Sequence, residues 1–300
     1  MNHDRLHPVA DTDPLWTETT WWGFAAHERA LGGMAYTLFR PNVGVAAVVV
    51  QVWDADAVEP WAAPYARSLW HVPFPEGDLD DVAVGPLRLQ VLEPGVSYRV
   101  AYDDGDSLAL DLRYDAAMPL HEALVSEPVG HLDQLCHVTG TVVLGGETVP
   151  IDAHAMRDRS WYVRRDQRSM RAGYTYGAVD GTDQFLVFST PADAESEEYA
   201  VNGGYLVRDG ERAKVSTGAR RTVGRRRGHP DIVEIEATDA LGREFVARGR
   251  ITASLASAST PGMFAWMSIA DWDLDGRAAH GEDHDVWSPD HLAALRRRSR

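Results

Sequence analysis

The residues best suited to chemistry lie together at positions 157–164, which read Arg-Asp-Arg-Ser-Trp-Tyr-Val-Arg. Four charged groups surround one Trp at the end of a predicted strand, and a β-sheet gains nothing obvious in packing from so much charge. The stretch therefore marks either a structural ion-pair network or part of a site. If it is a site, Asp158 is the candidate acid, because a carboxyl that apolar surroundings keep protonated can donate a proton. His154 is the candidate to orient water or to assist the proton transfer.

The same stretch also allows a purely structural interpretation. Three guanidinium groups near Asp158 in the sequence, those of Arg157, Arg159 and Arg164, favour its ionised form. An ionised Asp in such a network joins elements of the fold and donates no proton. Arg164 and Trp161 then have the matching structural roles of ion pairing and core packing.

A second polar group, one strand earlier, is a candidate for the same site. His131, Asp133 and Gln134 lie on this strand, and the alternation of side chains along a strand puts His131 and Asp133 on one face. Polar residues are also common at strand ends, so an ordinary strand edge is the alternative. Large aromatic faces can line a ligand cavity. The remaining candidates for substrate binding are Trp21, Trp22, Trp161, Trp266, Tyr162 and Arg164.

Residues 271–282 match the expression for an EF-hand calcium loop. Carboxylates stand at the first, third and fifth places, Gly276 at the sixth and Glu282 at the twelfth. That loop needs a helix on each side, whereas residues 263–269 resemble a strand and residues 283–289 show no helical pattern. We therefore expect a hairpin turn here and no metal site.

The elements that must position these residues are predicted to be antiparallel strands. Residues 108–114 alternate apolar and polar side chains, as a strand with one buried face does. Turns that suit hairpins, mostly Asp-Gly or Gly-Gly, are expected at residues 104–105, 145–146, 180–181, 209–210 and 241–242. A series of hairpins, followed by one short helix from about Ser288, predicts an all-β sandwich or up-and-down barrel.

Two segments are expected to lie outside this pattern. The proline-containing residues 60–76 predict a long loop or lid. The basic residues 220–227 predict a solvated hairpin tip, since short charge runs usually face water. A break near residue 172 leaves two β-rich parts, 1–172 and 173–300, each large enough for a barrel of its own.

The order of several motifs resembles that of a known superfamily. The motifs are Trp-Trp-Gly-Phe at 21–24, His-Leu-Asp-Gln at 131–134, Arg-Asp-Arg-Ser-Trp at 157–161 and Trp-Asp-Leu-Asp-Gly-Arg at 272–277. Together they resemble the AttH-like and carotenoid 1,2-hydratase-like superfamily, and within it bacterial proteins with an Arg-Asp-(His/Arg)-Ser-Trp-Gly signature. The chain departs from that signature at Tyr162, where Gly is usual, and the bulkier ring narrows any cavity there.

This resemblance implies two consecutive lipocalin-like β-barrels with a cavity at or between them. Characterised members of the superfamily hydrate isoprenoid double bonds or prenyl groups, or catalyse intramolecular Diels–Alder cyclisations. The resemblance therefore implies an enzyme that acts on a carbon–carbon double bond, although a shared fold does not decide between these reactions.

Composition narrows the range of partners and compartments. The formal charge of −16, from 29 basic and 45 acidic residues, argues against general binding to nucleic acids or anionic membranes. The single cysteine, Cys136, excludes an intrachain disulfide. The polar start of the chain does not resemble a signal peptide, and no apolar run approaches the roughly 20 residues of a membrane span. We expect a cytoplasmic, soluble protein without membrane insertion.

Cofactors are not expected either, because no Gly-rich loop joins a strand to a helix in the way that phosphate-binding loops do. The residues and the resemblance together predict a cofactor-independent enzyme for a hydrophobic isoprenoid- or polyketide-like substrate. Hydration of a double bond is the first expectation, and isomerisation or cyclisation comes next; a cyclase would act mainly by holding its substrate in a reactive conformation. The alternatives are a non-catalytic carrier of a hydrophobic small molecule and a structural role without a ligand.

Overall fold

A computed structural model describes residues 3–9, 12–126, 128–165, 171–193, 195–260 and 262–298. Antiparallel strands make up most of this part of the chain, and a helix, α1 (Pro289–Arg298), follows the last strand. The chain divides into two compact units. The first comprises Met1–Val52 and Pro64–Arg165, and the second comprises Trp53–Ala63 and Asp166–Arg300. The predicted all-β fold with two barrel-like sheets and a short C-terminal helix is confirmed.

The first unit is an eleven-stranded antiparallel sheet. Its strands are β1 (Trp16–Ala26), β2 (Leu31–Arg40), β3 (Val45–Trp53), β4 (Tyr65–Pro73), β5 (Asp81–Val84), β6 (Leu87–Glu93), β7 (Ser97–Asp103), β8 (Leu108–Ala116), β9 (His121–Ser126), β10 (Val129–Leu144) and β11 (Glu147–Val163). The sheet order is β4-β3-β2-β1-β11-β10-β8-β7-β6-β5, and β9 pairs with β10. The long strand β11 therefore lies between β1 and β10, at the centre of the sheet.

The second unit is a closed barrel in which eight strands follow one another in chain order. They are β12 (Arg171–Ala178), β13 (Gln184–Pro191), β14 (Glu198–Arg208), β15 (Glu211–Arg226), β16 (His229–Asp239), β17 (Glu244–Thr260), β18 (Met263–Leu274) and β19 (Arg277–Trp287). The first strand pairs with the last, so the barrel has no open edge. Its core includes Phe185, Ile235 and Trp272.

The turn chemistry of the sequence is confirmed, because strands flank all five predicted hairpin turns. At Asp209–Gly210 both turn residues have positive φ, 54° and 79°, as a type I′ turn requires. The segment that matches the calcium-loop expression is also a hairpin, turning at Asp275–Gly276 between β18 and β19. The predicted hairpin there is confirmed, since strands and not helices flank the turn.

Two expectations from the sequence are wrong in part. Residues 60–76 contain β4, which pairs with β3 at the edge of the first sheet; Pro73 is tolerated because it ends an edge strand. Residues 220–227 form an exposed tip only at their end. Arg220 is completely buried and the Arg225 side chain is 15% exposed. The two are five residues apart, and both point into the barrel because the register of β15 shifts between Thr222 and Arg225.

Among the described residues, the structure contains no helix with the length and apolar character needed to cross a bilayer.

Candidate functional site

The Arg-Asp-Arg-Ser-Trp motif lies on β11 and is divided between the two faces of the sheet. In the pairing register, Arg157 is opposite Trp22 on β1, and Asp158 is opposite Trp21. Trp22 belongs to the hydrophobic core of the first unit, as does Ala155 on β11. Arg157, Arg159 and Trp161 therefore face the interior of the sheet, whereas Asp158, Ser160 and Tyr162 face the other way.

Polar and aromatic side chains gather around Asp158 on this second face. We call this set the outer-face cluster; its members are Thr19, Trp21, Tyr36, His131, Asp133, Asp158, Ser160, Tyr162 and Arg164. Several members are almost inaccessible to solvent: Thr19 and Asp133 are 0% exposed, and Ser160 is 3% exposed. Buried polar groups must find partners inside the protein, so their arrangement is specific.

Arg164 holds one side of the outer-face cluster together. Its guanidinium donates to the hydroxyls of Ser160 at 2.6 Å, Thr19 at 3.2 Å and Tyr36 at 3.1 Å. It also lies over the Tyr162 ring, 5.0 Å from the ring centroid. The ring of Tyr36 in turn meets Trp21 edge to face, with 6.2 Å between the centroids. The aromatic side of the cluster is thereby fixed around a cation.

His131 and Asp133 form the other side of the cluster, with 3.1 Å between Nε2 and Oδ1. Burial alone would lower the pKa of His131, but the Asp133 carboxylate, with a contribution from Asp158, raises it to about 9. His131 is therefore a cation at neutral pH, and Asp133 is its ion-pair partner.

Asp158 is directly opposite Asp133 in the register of β10 and β11. Cβ atoms of such cross-strand pairs are about 5 Å apart, and two like charges at that separation disfavour each other. The two carboxyls of this pair lie between the His131 imidazole and the Arg164 guanidinium on the same face of the sheet.

The structure brings together six of the residues predicted for the site, and it places the others elsewhere. The six in the outer-face cluster are Trp21, His131, Asp133, Asp158, Tyr162 and Arg164. His154 is on the same face, but four residues of extended strand put it about 13 Å from Asp158. Its ring is instead near His137, with centroids 5.4 Å apart.

Three predicted residues face the interior of the first unit, and one belongs to the second unit. Trp22, Gln134 and Trp161 point to the interior with Arg157. Trp266 belongs to the second unit, where it packs with Val58, Ala256 and Trp287. Within the first unit, the tryptophans expected to line one cavity lie on two faces of the sheet, with Trp21 on one face and Trp22 and Trp161 on the other.

The interior face carries a second polar network, several members of which the sequence did not suggest. Arg157 donates to Gln134 Oε1 at 2.8 Å and to the hydroxyl of Tyr98 at 2.6 Å, and it lies 4.0 Å from the centroid of the Tyr98 ring. Arg159 forms a buried ion pair with Glu18. Glu18 could have been suggested by the sequence, since it is a lone acid within the apolar and Thr-rich strand β1. Nothing in the sequence marks Tyr98 in this way.

Most of the chain matches a single protein family. Residues 1–282 match the model of DUF7064, a domain of unknown function. The chain belongs to this family. No curated protein matches it by sequence.

Solved structures with the same fold share little sequence with this chain. A putative AttH from Nitrosomonas europaea has 15% identity and a TM-score of 0.61, with 91% of each chain covered. Kievitone hydratase from Nectria haematococca has 8% identity and a TM-score of 0.58, with 96% of this chain and 93% of that chain covered. CghA has 13% identity and a TM-score of 0.62, with 92% and 88% covered. The fold is that of the AttH-like double-lipocalin proteins, as the sequence motifs implied.

Proposed function

We propose that this protein is a cofactor-independent enzyme that acts on a carbon–carbon double bond of a hydrophobic small molecule. The first reaction to test is hydration, and isomerisation and cyclisation are the others. The observation that carries the proposal is the pair of opposed carboxyls, Asp158 and Asp133, beside a protonated His131 and the aromatic rings of the outer-face cluster. A proton donor next to aromatic faces is what protonation of an alkene requires.

In this proposal Asp158 is the acid. Its proton goes to one carbon of the double bond, the π electrons form the new C–H bond, and the other carbon becomes a carbocation. The faces of Trp21, Tyr36 and Tyr162 stabilise that cation through their quadrupoles. Water then adds to the cation and returns a proton to the Asp158 carboxylate, so the enzyme ends in its starting state. Loss of a proton from a neighbouring carbon instead gives an isomer.

His131 and Arg164 are proposed as positioning residues for this step. His131 pairs with Asp133 and holds that carboxyl in place, and Arg164 holds the hydroxyls of Ser160 and Tyr36 in place. His154 lies too far along β11 to touch a group that Asp158 protonates, so we assign it no part in the proton transfer.

The names of structurally similar proteins agree with this class of reaction. One is a hydratase of kievitone, and CghA has been solved with Sch210972, in a structure that matches with a TM-score of 0.60. At 8–14% identity these likenesses support the fold, and the reaction is carried to this chain only as part of the proposal.

The test compares Asp158→Asn with the wild type after incubation with a small-molecule extract of the source cells, using native mass spectrometry and extraction of the bound fraction. A product heavier than its precursor by one water supports hydration, and a product of unchanged mass that differs in retention supports isomerisation or cyclisation. Loss of a general acid should lower the turnover rate about 10²–10⁴-fold. Asp152→Asn is the matched control, because Asp152 lies on the same face of β11 but is exposed.

Two outcomes would count against the proposal. A ligand recovered unchanged from the wild type would make the protein a carrier. Turnover that survives in Asp158→Asn as well as in Asp152→Asn would remove Asp158 from the proton transfer.

A further inference from the structure

A small cleft lies inside the first unit, on the opposite side of β11 from Asp158. Its polar lining consists of Asp4, Thr20, Gln90, Tyr98, Arg157 and Arg159, and its apolar lining of Trp22, Leu79, Leu89 and Val91. The space left open is about 20 Å³, which is room for about one water molecule. Both guanidinium groups are almost inaccessible to solvent, at 1% and 2% exposure.

The reason that so little space remains is a segment of the chain itself, residues 3–7, which we call the N-terminal plug. The carboxylate of Asp4 lies 3.6 Å from Arg157 and accepts a hydrogen bond of 2.6 Å from the amide of Gly95. Arg159 donates to the backbone carbonyls of His3 and Arg5. The plug therefore occupies the positions next to Arg157 and Arg159 that a ligand would otherwise take.

The rest of the N-terminal plug packs on the same interior face of the sheet, beside the cleft. Leu6 packs against the hydrophobic core of the first unit. The ring of His7 stacks on Trp161, with 3.6 Å between the centroids and 8° between the planes. The plug thus places a carboxylate near Arg157, followed by an apolar side chain and an aromatic ring. A molecule with a carboxylate at one end and a hydrophobic body has its groups in the same order.

The plug is attached by side-chain contacts and not by strand pairing. Residues 3–9 are outside every strand of the sheet. Outside the cleft, Asp78 holds the plug by an ion pair with Arg5 at 2.8 Å and by accepting the amide of Leu6 at 2.6 Å. Glu18 on β1 also binds the amide and the ring of His7, at 2.9 Å and 2.8 Å. Opening of the plug breaks these contacts but no strand pair.

One buried donor in the cleft has no acceptor within the described part of the chain: Nε of Arg159. Nε of Arg40 and of Arg164 are in the same situation, so the cleft is distinguished by its two buried guanidinium groups and not by this atom alone. The two oxygens of a planar carboxylate match the parallel N–H groups of a guanidinium, which makes a carboxylate the best-fitting partner for them.

We propose that this cleft is a binding site for a hydrophobic molecule with a terminal carboxylate, and that the N-terminal plug occupies it when the ligand is absent. The ligand carboxylate takes the place of Asp4 at Arg157 and reaches Arg159, and its apolar body takes the place of Leu6. The site is separate from the outer-face cluster, so it adds a ligand class to the protein whatever reaction that cluster performs.

The net charge of the cleft after the plug has left it favours a carboxylate ligand over a phosphate. With the plug displaced, Arg157 and Arg159 remain and Glu18 balances one of them, which leaves one net positive charge. A carboxylate carries one negative charge and matches it. A phosphate monoester carries about −1.5 to −2 at neutral pH and would bring uncompensated charge into a buried site.

The test uses the full chain and two probes with the same carbon skeleton, retinoic acid and retinol, whose binding is measured by tryptophan emission. We expect retinoic acid to bind at least about tenfold more tightly, because only the acid pairs with Arg157. In Asp4→Ala the affinity for the acid should rise by roughly tenfold, because the competing carboxylate is gone and the open form is more populated. Arg157→Gln should abolish the preference for the acid, and Asp106→Ala, at an exposed turn, should change neither affinity.

Hydrogen exchange of the wild-type chain gives an independent reading that needs no variant to fold. Retinoic acid should speed amide exchange in residues 3–9, because the ligand expels the plug. Equal affinities for acid and alcohol together with unchanged exchange in residues 3–9 would overturn the proposal. A preference for the acid that persists in Arg157→Gln would show that the acid binds elsewhere and would also overturn it.

Discussion

The interior of each unit contains a polar network around buried arginines, but the partners of these arginines come from different parts of the chain. In the first unit Arg157 lies over the ring of Tyr98, and in the second unit Arg171 lies 3.7 Å from the centroid of Trp287. The second unit balances its buried Arg220 with Asp283, through two hydrogen bonds of 2.9 Å and 2.6 Å. Both residues of that pair lie on strands of the closed barrel.

A second ion pair extends this network in the second unit. Arg225 pairs with Asp285 at 2.7 Å, and the hydroxyl of Tyr199 donates to the same carboxylate at 2.7 Å. Burial would raise the pKa of Asp285, but Arg225 and Arg220 together hold it below its usual range. The carboxylate therefore stays charged inside the barrel. Arg225 and Arg171 also bind the loop before β14, at Glu197 and the carbonyl of Ser196, whereas the central pair Arg220–Asp283 lies on strands alone.

In the first unit, by contrast, part of the interior network comes from the N-terminal plug. Asp4 and the carbonyls of His3 and Arg5 contact the two arginines, and these residues belong to no strand. The central pair Arg220–Asp283 lies within strands and stabilises the barrel, whereas the two arginines of the first interior also bind a segment outside every strand. Under the proposal above, that segment can exchange for a ligand, so the first interior binds and the second has a structural role.

The largest effect that tests this comparison is expected for Asp283→Asn. Breaking a fully buried pair leaves Arg220 without its counter-charge, and such changes cost about 3–5 kcal/mol. The free energy of unfolding from urea titrations should fall by that amount. Glu236→Gln, which alters an exposed pair with Arg221, is the control and should change it by less than about 1 kcal/mol. A small effect of Asp283→Asn would mean that the second interior, too, can admit water or a ligand.

The alternation of strands explains which parts of the site could be predicted from the sequence. The period of two correctly placed His131 and Asp133 on one face, and they lie there beside Asp158. The same period separates Arg157 and Arg159 from Asp158, although closeness in the sequence suggested a single cluster. Alternation is a reliable local rule, whereas charge density along the chain does not tell which face a group occupies.

Contacts between distant segments could not be predicted from periodicity. Asp4 meets Arg157 across about 150 positions of chain, and it lies in a segment with no regular pattern. The assignment of Trp53–Ala63 to the second unit has the same origin, since Val58 packs with Trp266 and accepts the amide of Ala256 at 2.7 Å. Only the folded chain reveals such pairings, because the residues involved are ordinary apolar or acidic side chains.

A second test compares the outer faces of the two units, and the change in stability that we expect from it is of intermediate size. Each carries a His–carboxylate pair two residues apart on one strand: His131 with Asp133, and His284 with Glu282 at 2.6 Å. The pKa of His131 is raised to about 9, above its unfolded value near 6.5. Its contribution to stability is therefore complete below pH 6.5 and is lost as the pH rises from about 6.5 to about 9.

We expect the pH dependence over this range to depend on the first unit. The wild type should lose about 2 kcal/mol of unfolding free energy between pH 6.5 and 9, once the partial exposure of His131 is taken into account. In His131→Gln this decline should flatten, while in His284→Gln it should persist. Thermal unfolding at several pH values measures both. A decline that flattens in His284→Gln and persists in His131→Gln would assign the pH dependence to the second unit and contradict the prediction.

The smallest effect, and the one on which the comparison depends most directly, is that of Asp4→Ala on stability. Asp4 lies 3.6 Å from Arg157, farther than the pair in the second unit, and Arg157 keeps its bonds to Gln134 and Tyr98 when Asp4 is removed. Water can also enter when the plug opens, so the cost should be about 1 kcal/mol, close to that of one lost hydrogen bond. The urea titrations used for Asp283→Asn measure it on the same scale, and hydrogen exchange should show the change confined to residues 3–9. A loss as large as that of Asp283→Asn would mean that the plug is a permanent part of the first interior, and the contrast between the two units would disappear.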